Sequence, residues 1–141
     1  MAINYIDLKT AIAEVIKELT DQVIIWSNQN ANTPSGDYLA LKLSSLRKNS
    51  GLDWEGKPNE SGVSKTQGER EVALTVISVS ENSMQILSDL IDKIELKKNL
   101  EVLNSKKLAY VGLGGDIVDI TAQINSSFET WAVVEIIFRI S

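Results

Sequence analysis

The chain has 141 residues, of which 43% are hydrophobic and 23% charged, and its formal net charge is −5 at pH 7. These proportions are ordinary for a soluble globular protein, so we expect residues 1–141 to fold as a single domain. The absence of Cys and His excludes disulfides, thiolate nucleophiles, Cys/His zinc sites and histidine general bases, and the acidic balance argues against simple phosphate-backbone binding.

The N-terminal segment predicts an amphipathic helix and no targeting signal. It lacks the basic start and apolar core of a signal peptide, and no apolar run in the chain approaches the roughly 20 residues that span a bilayer. We therefore expect a protein that is made in a cytoplasm and does not contact a membrane. Asn4 is a candidate N-cap, Asp7 suits the first turn, and the helix should end near Thr20. Its predicted buried stripe is Leu8, Ile12, Val15, Ile16 and Leu19.

Two strands are predicted next, on either side of a turn. Residues 23–26, with the sequence Val-Ile-Ile-Trp, form a short apolar run bounded by polar residues. A Pro-Ser-Gly turn then precedes residues 38–46, in which apolar and polar side chains alternate. The alternation directs Leu39, Leu41 and Leu43 to the core and Tyr38, Ala40, Lys42 and Ser44 to the solvent.

The apolar pattern disappears in residues 47–68, a polar stretch punctuated by glycines. We expect this segment to form a long hairpin loop that protrudes beyond the sheet, because structureless loops of about twenty residues are uncommon in compact domains and are usually functional or disordered. Two interpretations stay open: an interface element, or a loose tip whose Trp54 folds back on its own domain. The candidate interface residues are Leu52, Trp54, Val63, Lys65, Arg70 and, in the last strand, Trp131.

Residues 69–79 predict the central strand of the sheet, and residues 83–95 a second helix. Both faces of the strand are largely apolar, with Val72, Leu74 and Val76 on one face and Ala73, Thr75, Ile77 and Val79 on the other. Asn82 is a candidate N-cap, with Gln85 three residues further on as its capping-box partner. The predicted buried stripe of the helix is Met84, Leu87, Leu90, Ile91 and Ile94.

The C-terminal third predicts further strands. A short helical turn at 97–104 precedes a strand at 108–111 and an extended segment at 117–122, and residues 129–140 carry the strongest strand signal in the chain. One face of this last strand, Ala132, Val134, Ile136, Phe138 and Ile140, should be buried. On the other face, Trp131, Val133 and Ile137 lie either under a helix or in an exposed apolar patch that marks an interface. The elements together predict an α+β fold, a mainly antiparallel sheet with two main helices on one face.

Few residues suggest chemistry. The glycines at 112–115 follow a strand, but no helix pattern follows them to supply the N–H donors of a phosphate loop. Asp116, Asp119 and Glu129 are the only candidates for a carboxylate-dependent enzyme or an oxygen-ligand metal site, and they lack the spacing of a calcium loop. Solvated loop carboxylates are the better interpretation, and we expect no cofactor, no metal and no enzymatic activity.

Several segments together have a known counterpart. Residues 26–45, WSNQNANTPSGDYLALKLSS, place an aromatic residue, Asn-Gln-Asn, Pro, Gly and Tyr before a strand, and GEREVALTV follows at 68–76. The chain closes with LAYVGLGGDIVDIT at 108–121 and FETWAVVEIIFR at 128–139. In this order the segments resemble phage neck and tail terminator-like proteins, and the resemblance extends from about residue 5 to the C-terminus.

The resemblance implies a virion structural protein, assembled in the host cytoplasm. Such a protein forms a ring, with a hexamer expected, at the head-proximal end of a phage tail. There it ends polymerisation of the tail tube protein and joins the tail to head connector and neck proteins. DNA would pass through the ring without specific binding. The alternatives are another tail or head-tail joining component on a related scaffold and the carboxylate-dependent enzyme.

Overall fold

The computed structural model describes residues 4–27, 36–48, 54–55, 66–67, 70–120, 122–124 and 127–140. In these residues the chain forms the helices α1 (Tyr5–Leu19), α2 (Ser83–Ile94) and α3 (Lys97–Ser105). The strands are β1 (Val23–Trp26), β2 (Tyr38–Lys48), β3 (Trp54–Glu55), β4 (Thr66–Gln67), β5 (Arg70–Val79), β6 (Leu108–Leu113), β7 (Val118–Asp119), β8 (Ala122–Ile124), β9 (Ser127–Glu129) and β10 (Trp131–Ile140).

One six-stranded sheet organises the molecule, in the order β1-β2-β5-β10-β6, with β7 also paired to β10. The β1–β2 pair is parallel, and the other pairs of this sheet are antiparallel. The predicted α+β fold with a mainly antiparallel sheet is therefore confirmed, and the strands that begin at Val23 and Leu108 lie at the edges of the sheet. The extended segment predicted at 117–122 contains β7 and the start of β8, which pair with different strands, β10 and β9.

The described helices pack on one face of the sheet, which we call the inner face. The predicted buried faces of the central and last strands are confirmed, and Leu74, Val76, Ile136 and Phe138 are each at most 1% exposed. At the edge of this core, Tyr110 meets Phe138 edge to face, with ring centroids 6.4 Å apart. Burial, and secondarily the Glu95 carboxylate, raises the pKa of Tyr110 above its ordinary value, so the phenol stays neutral.

Helix α1 forms as predicted. The Asn4 side chain accepts hydrogen bonds from the backbone N–H groups of Ile6 (3.1 Å) and Asp7 (3.2 Å), which have no partner within the helix. Every residue of the predicted stripe is buried. The helix is therefore fixed at its start by the cap and along one side by the core.

The predicted capping pair of helix α2 is wrong. Asn82 occupies the N-cap position, but its side chain makes no capping hydrogen bond. The Ser80 hydroxyl accepts from the Asn82 backbone N–H instead (3.2 Å), and Gln85 Nε2 donates to Asp89 Oδ1 (2.8 Å). A side chain that bonds one turn forward along the helix cannot also reach back to the cap.

The buried stripe of α2 begins one residue earlier than predicted. Met84 is 42% exposed, whereas the other four predicted residues are buried. Ser83 takes the place of Met84, at 1% exposed, because it lies four residues before Leu87 on the same side of the helix.

Helix α3 extends the short helical turn predicted at 97–104 and packs beside β6. Two lysines connect the helices: Lys93 Nζ donates to the carbonyl oxygen of Leu19 (3.1 Å), and Lys106 Nζ pairs with Glu14 Oε2 (3.0 Å). Among the described residues, no helix is long and apolar enough to cross a membrane.

Strand β2 contains an irregularity that the sequence pattern does not predict. Its pairing with β5 shifts by one residue at Ser44. The Ser44 hydroxyl donates to the carbonyl oxygen of Ala73 (3.1 Å) and accepts from the Thr75 hydroxyl (3.0 Å). Such a β-bulge inserts an unpaired residue and interrupts the alternation of faces. Leu46 therefore pairs with Val72, a residue of the inner face.

The predicted hairpin between β2 and β5 is described only in part. The two strands pair antiparallel along their length, and β3 pairs with β4 further along the same connection. Leu52, Val63 and Lys65 lie outside the described residues, and the structure describes Trp54 without its side chain. Whether the segment protrudes stays a prediction.

Phe138→Ala should lower the free energy of unfolding by about 3–5 kcal/mol, because the truncation leaves a cavity in a packed core. Urea denaturation measures this free energy. Val111→Thr is the control: Val111 is 47% exposed, and its replacement keeps the branched side chain, so the change should stay within about 0.5 kcal/mol. A loss below roughly 1 kcal/mol for Phe138→Ala would contradict the packing of β10.

Candidate interface on the outer face of the sheet

The outer face of the six-stranded sheet, opposite the inner face, is covered by none of the described helices. An antiparallel sheet with one face packed on a core usually carries polar side chains on the other face. Here the outer face is polar at one end and apolar at the other. The division follows from the sequence of β5 and β10 and from the pairing that aligns their neighbours with them.

Two adjacent rows of side chains form an apolar band across the outer face, at the end where β10 begins. Strand pairing aligns the residues of each row from β1 to β10, and β7 extends the second row. The first row of the apolar band is Val23, Tyr38, Val79 and Trp131, and the second is Ile25, Ala40, Ile77, Val133 and Val118.

Neighbouring side chains shield the middle of the apolar band but not its ends. Val23 and Val118 are 54% and 48% exposed, whereas Ile77 and Val133 are half-buried and Ala40 is buried. A contiguous apolar patch of this kind marks a surface that contacts another molecule. Isolated exposed apolar residues are common on protein surfaces and do not indicate a contact. The alignment of these residues in two rows is therefore the informative observation.

The other end of the outer face is charged. Lys42, Thr75 and Glu135 share the row next to the apolar band, and both charged residues of this row are exposed. Further along, Arg139 Nη2 lies 3.7 Å from Glu71 Oε1. Exposed ion pairs contribute little to stability. They give this end of the face a polar, hydrated surface that contrasts with the apolar band.

Trp131 lies in the first row of the apolar band. The sequence left two alternatives for Trp131, Val133 and Ile137: cover by a helix, or an exposed patch. None of the described helices covers them, because the buried residues of these helices belong to the cluster on the inner face. Trp131 is half-buried, and its Nε1 is buried without an acceptor among the described residues. Large aromatic side chains of this kind carry much of the binding energy of interfaces.

A turn between β6 and β7 borders the apolar band. Pairing of β6 with β10 shifts by one residue beside Gly112, whose φ of +153° suits glycine. The Gly114 N–H donates to the carbonyl oxygen of Glu135 (2.8 Å), and a Cβ on Gly114 would collide with the Glu135 carboxylate. Beside this contact is a hollow of about 280 Å³, lined by Thr75, Gly114, Gly115, Asp116, Val118, Val133, Val134 and Glu135.

The other predicted site residues lie apart from this surface or outside the residues that the structure describes. Arg70 begins β5 and is 7% exposed, so it offers little surface of its own. Asp116 and Asp119 are exposed near β7, and the side chain of Glu129 is not described. Within the described residues, no group of three or more carboxylates could hold a metal ion.

The sequence pattern alone missed most of the apolar band. Val23, Ile25 and Tyr38 come from strands whose partners the pattern does not identify. The register that aligns them with residues of β5 and β10 depends on the strand order. The sequence pattern does not predict that β1 pairs with β2 in parallel.

Gly112→Ala should destabilise the protein by about 1–3 kcal/mol, because φ near +153° is strained for any side chain. Gly115→Ala is a matched control: an added Cβ meets nothing within 4 Å at either position, and only Gly112 has a positive φ. Thermal unfolding of both variants measures the difference. Equal melting temperatures would contradict the backbone geometry of the β6–β7 turn.

A comparison with protein-family models finds one match that covers nearly the whole chain. The model is described as phage neck terminator protein, and it matches residues 7–141. No curated protein sequence matches the chain.

Proposed function

The chain belongs to the phage neck terminator family, and from that premise we propose that it forms a ring at the head-proximal end of the tail. The family places the protein among the structural components of the phage neck and tail. The ring, with a hexamer as its expected form, ends polymerisation of the tail tube protein. It also provides the surface to which the head connector and neck proteins attach.

The apolar band is the observation that carries the proposal. A subunit that worked alone would leave the exposed part of this band in water, at a cost of roughly 25 cal/mol for every Å² left unburied. Contact with another subunit or with the tail tube removes this surface from water. Ile77, in the middle of the band, and Trp131, the large aromatic residue at the end of its first row, are the residues best placed to anchor such a contact.

The charge of the chain suits a channel for DNA. The chain carries 14 basic and 19 acidic side chains. Both signs are numerous enough to match at subunit contacts, and the acidic surplus can then face the lumen. A lumen of negative potential repels phosphates, so DNA passes without specific binding.

Residues 47–68 are the second part of the proposed contact surface. The segment offers Leu52, Trp54, Val63 and Lys65 to a neighbouring subunit or tail protein. Its sequence contains too few apolar residues for a core of its own, so a partner is the best means of covering Trp54. The proposed location of the assembled protein is the virion, after assembly in the host cytoplasm.

Ile77→Lys should prevent assembly, because it buries a charge in the middle of the apolar band. Met84→Lys is the matched control: Met84 is 42% exposed on α2, a helix that packs on the inner face. Light scattering over a concentration series should show assembly of the wild type and of Met84→Lys. Ile77→Lys should need about tenfold more protein or stay monomeric.

A thermal melt tests whether the Ile77→Lys subunit is folded. Images of tail ends with protein added then compare the wild type, Met84→Lys and Ile77→Lys. Wild-type protein that stays monomeric and leaves tail ends bare contradicts the ring. Normal assembly of Ile77→Lys contradicts the role of the apolar band. Binding elsewhere on the particle points to a different head-tail joining component.

Residues 47–68 should be cleaved by a protease more slowly in the assembled protein than in the free subunit, since contact with a partner covers the backbone. Mass spectrometry of the fragments over time measures the rates. In Trp54→Ala the protection should decrease, because the anchor of the contact is lost. Equal cleavage rates in free and assembled wild-type protein would show that the segment is a loose loop.

A further inference from the structure

The two edges of the six-stranded sheet lie at opposite ends of the subunit. Strand β1 forms one edge, and β6 and β7 together form the other. Among the described residues, no strand pairs with the outer edge of β1. Unpaired strand edges present backbone N–H and C=O groups that can pair with another chain. The edges therefore offer two different surfaces for contact between subunits.

A groove lies between β1 and α1, on the inner side of the first edge. Its volume is about 470 Å³. The apolar part of the lining includes Ile6, which is 76% exposed, together with Ile24 and Trp26. A groove with an apolar floor beside a strand edge suits an extended segment, which adds backbone hydrogen bonds and places alternate side chains in the groove. The complete lining is Ile6, Lys9, Thr10, Ala13, Glu14, Lys17, Ile24 and Trp26.

The charge of the groove is positive. Lys9 and Lys17 line it, and Lys9 Nζ lies 5.2 Å from the centroid of the Trp26 ring. Glu14 is the acidic residue of the lining, and its carboxylate pairs with Lys106 at 3.0 Å. The Glu14 charge is thus offset from outside the groove, and the ammonium groups of the two lining lysines remain to attract an acidic partner.

The opposite edge is acidic and apolar. Residues 113–120 connect β6 to the end of β7, and three of their apolar side chains are substantially exposed: Leu113 (38%), Val118 (48%) and Ile120 (37%). Asp116 and Asp119 are exposed beside them. No Lys or Arg occurs from residue 108 to residue 138, so this stretch of the sequence adds no positive charge to the edge.

We propose that residues 113–120 of one copy dock in the groove between α1 and β1 of the next copy. This contact rests on the ring proposed above and identifies the surfaces that close it. Asp116 approaches Lys17, and the exposed apolar side chains of the segment cover Ile6 and Ile24. Because the two surfaces are different and lie at opposite edges of the sheet, the contact is head-to-tail, as a ring requires.

A charge swap tests the contact. Lys17→Glu and Asp116→Lys each place like charges together, and each variant should need about tenfold more protein to assemble on tail ends. The double variant Lys17→Glu/Asp116→Lys reverses both charges and should assemble within about threefold of the wild type. Asp92→Lys is the control for Asp116→Lys: it makes the same charge change at an exposed position on α2 and should assemble normally.

Light scattering and imaging of tail ends measure all four variants beside the wild type, after thermal melts show that each is folded. Rescue in the double variant supports the contact. The contact is overturned if the double variant needs as much protein to assemble as the single variant with the larger defect. It is also overturned if the single variants assemble normally. In both cases the wild-type ring still stands. A wild type that never assembles overturns the ring and this contact together.

Discussion

The pairing of β5 with β10 is the interaction on which the rest of the structure depends. The two strands align over ten residues, from Arg70 opposite Ile140 to Val79 opposite Trp131. This register places Val76 beside Val134 on the inner face and Ile77 beside Val133 on the outer face. A slip of one residue would exchange the faces and expose the core. The described helices then cover one face, and none of them covers the other.

The outer face and the groove beside β1 give the subunit three distinct surfaces. The apolar band suits a contact that excludes water, the positive groove suits an acidic strand, and the charged end of the outer face suits a hydrated boundary. Contact surfaces of this kind agree with the structural role in the phage neck or tail that membership of the phage neck terminator family supports. Asp116, a candidate for metal binding in the sequence, has a simpler role as a complement to Lys17.

Much of the fold could be predicted because periodicity and burial agree. The stripe of α1 and both faces of β10 follow from apolar spacing alone, and the cap at Asn4 follows from the preference for Asn at this position. The failures have local causes: Ser83 fills a buried position that a hydrophobic pattern assigns to Met84, and Ser44 adds a bulge held by side-chain hydrogen bonds. The apolar band needed the strand order, because residues far apart in the sequence become neighbours only through pairing.

The central claim is that subunits close into a ring through the edges and outer face of this sheet. Electron microscopy of phage tails with the protein bound tests it most directly. The account predicts one closed ring with cyclic, six-fold symmetry and an open centre at the head-proximal end of each tail, with the apolar band buried in contacts. Density along the side of the tail, or a ring whose subunits leave the outer face in solvent, would contradict it.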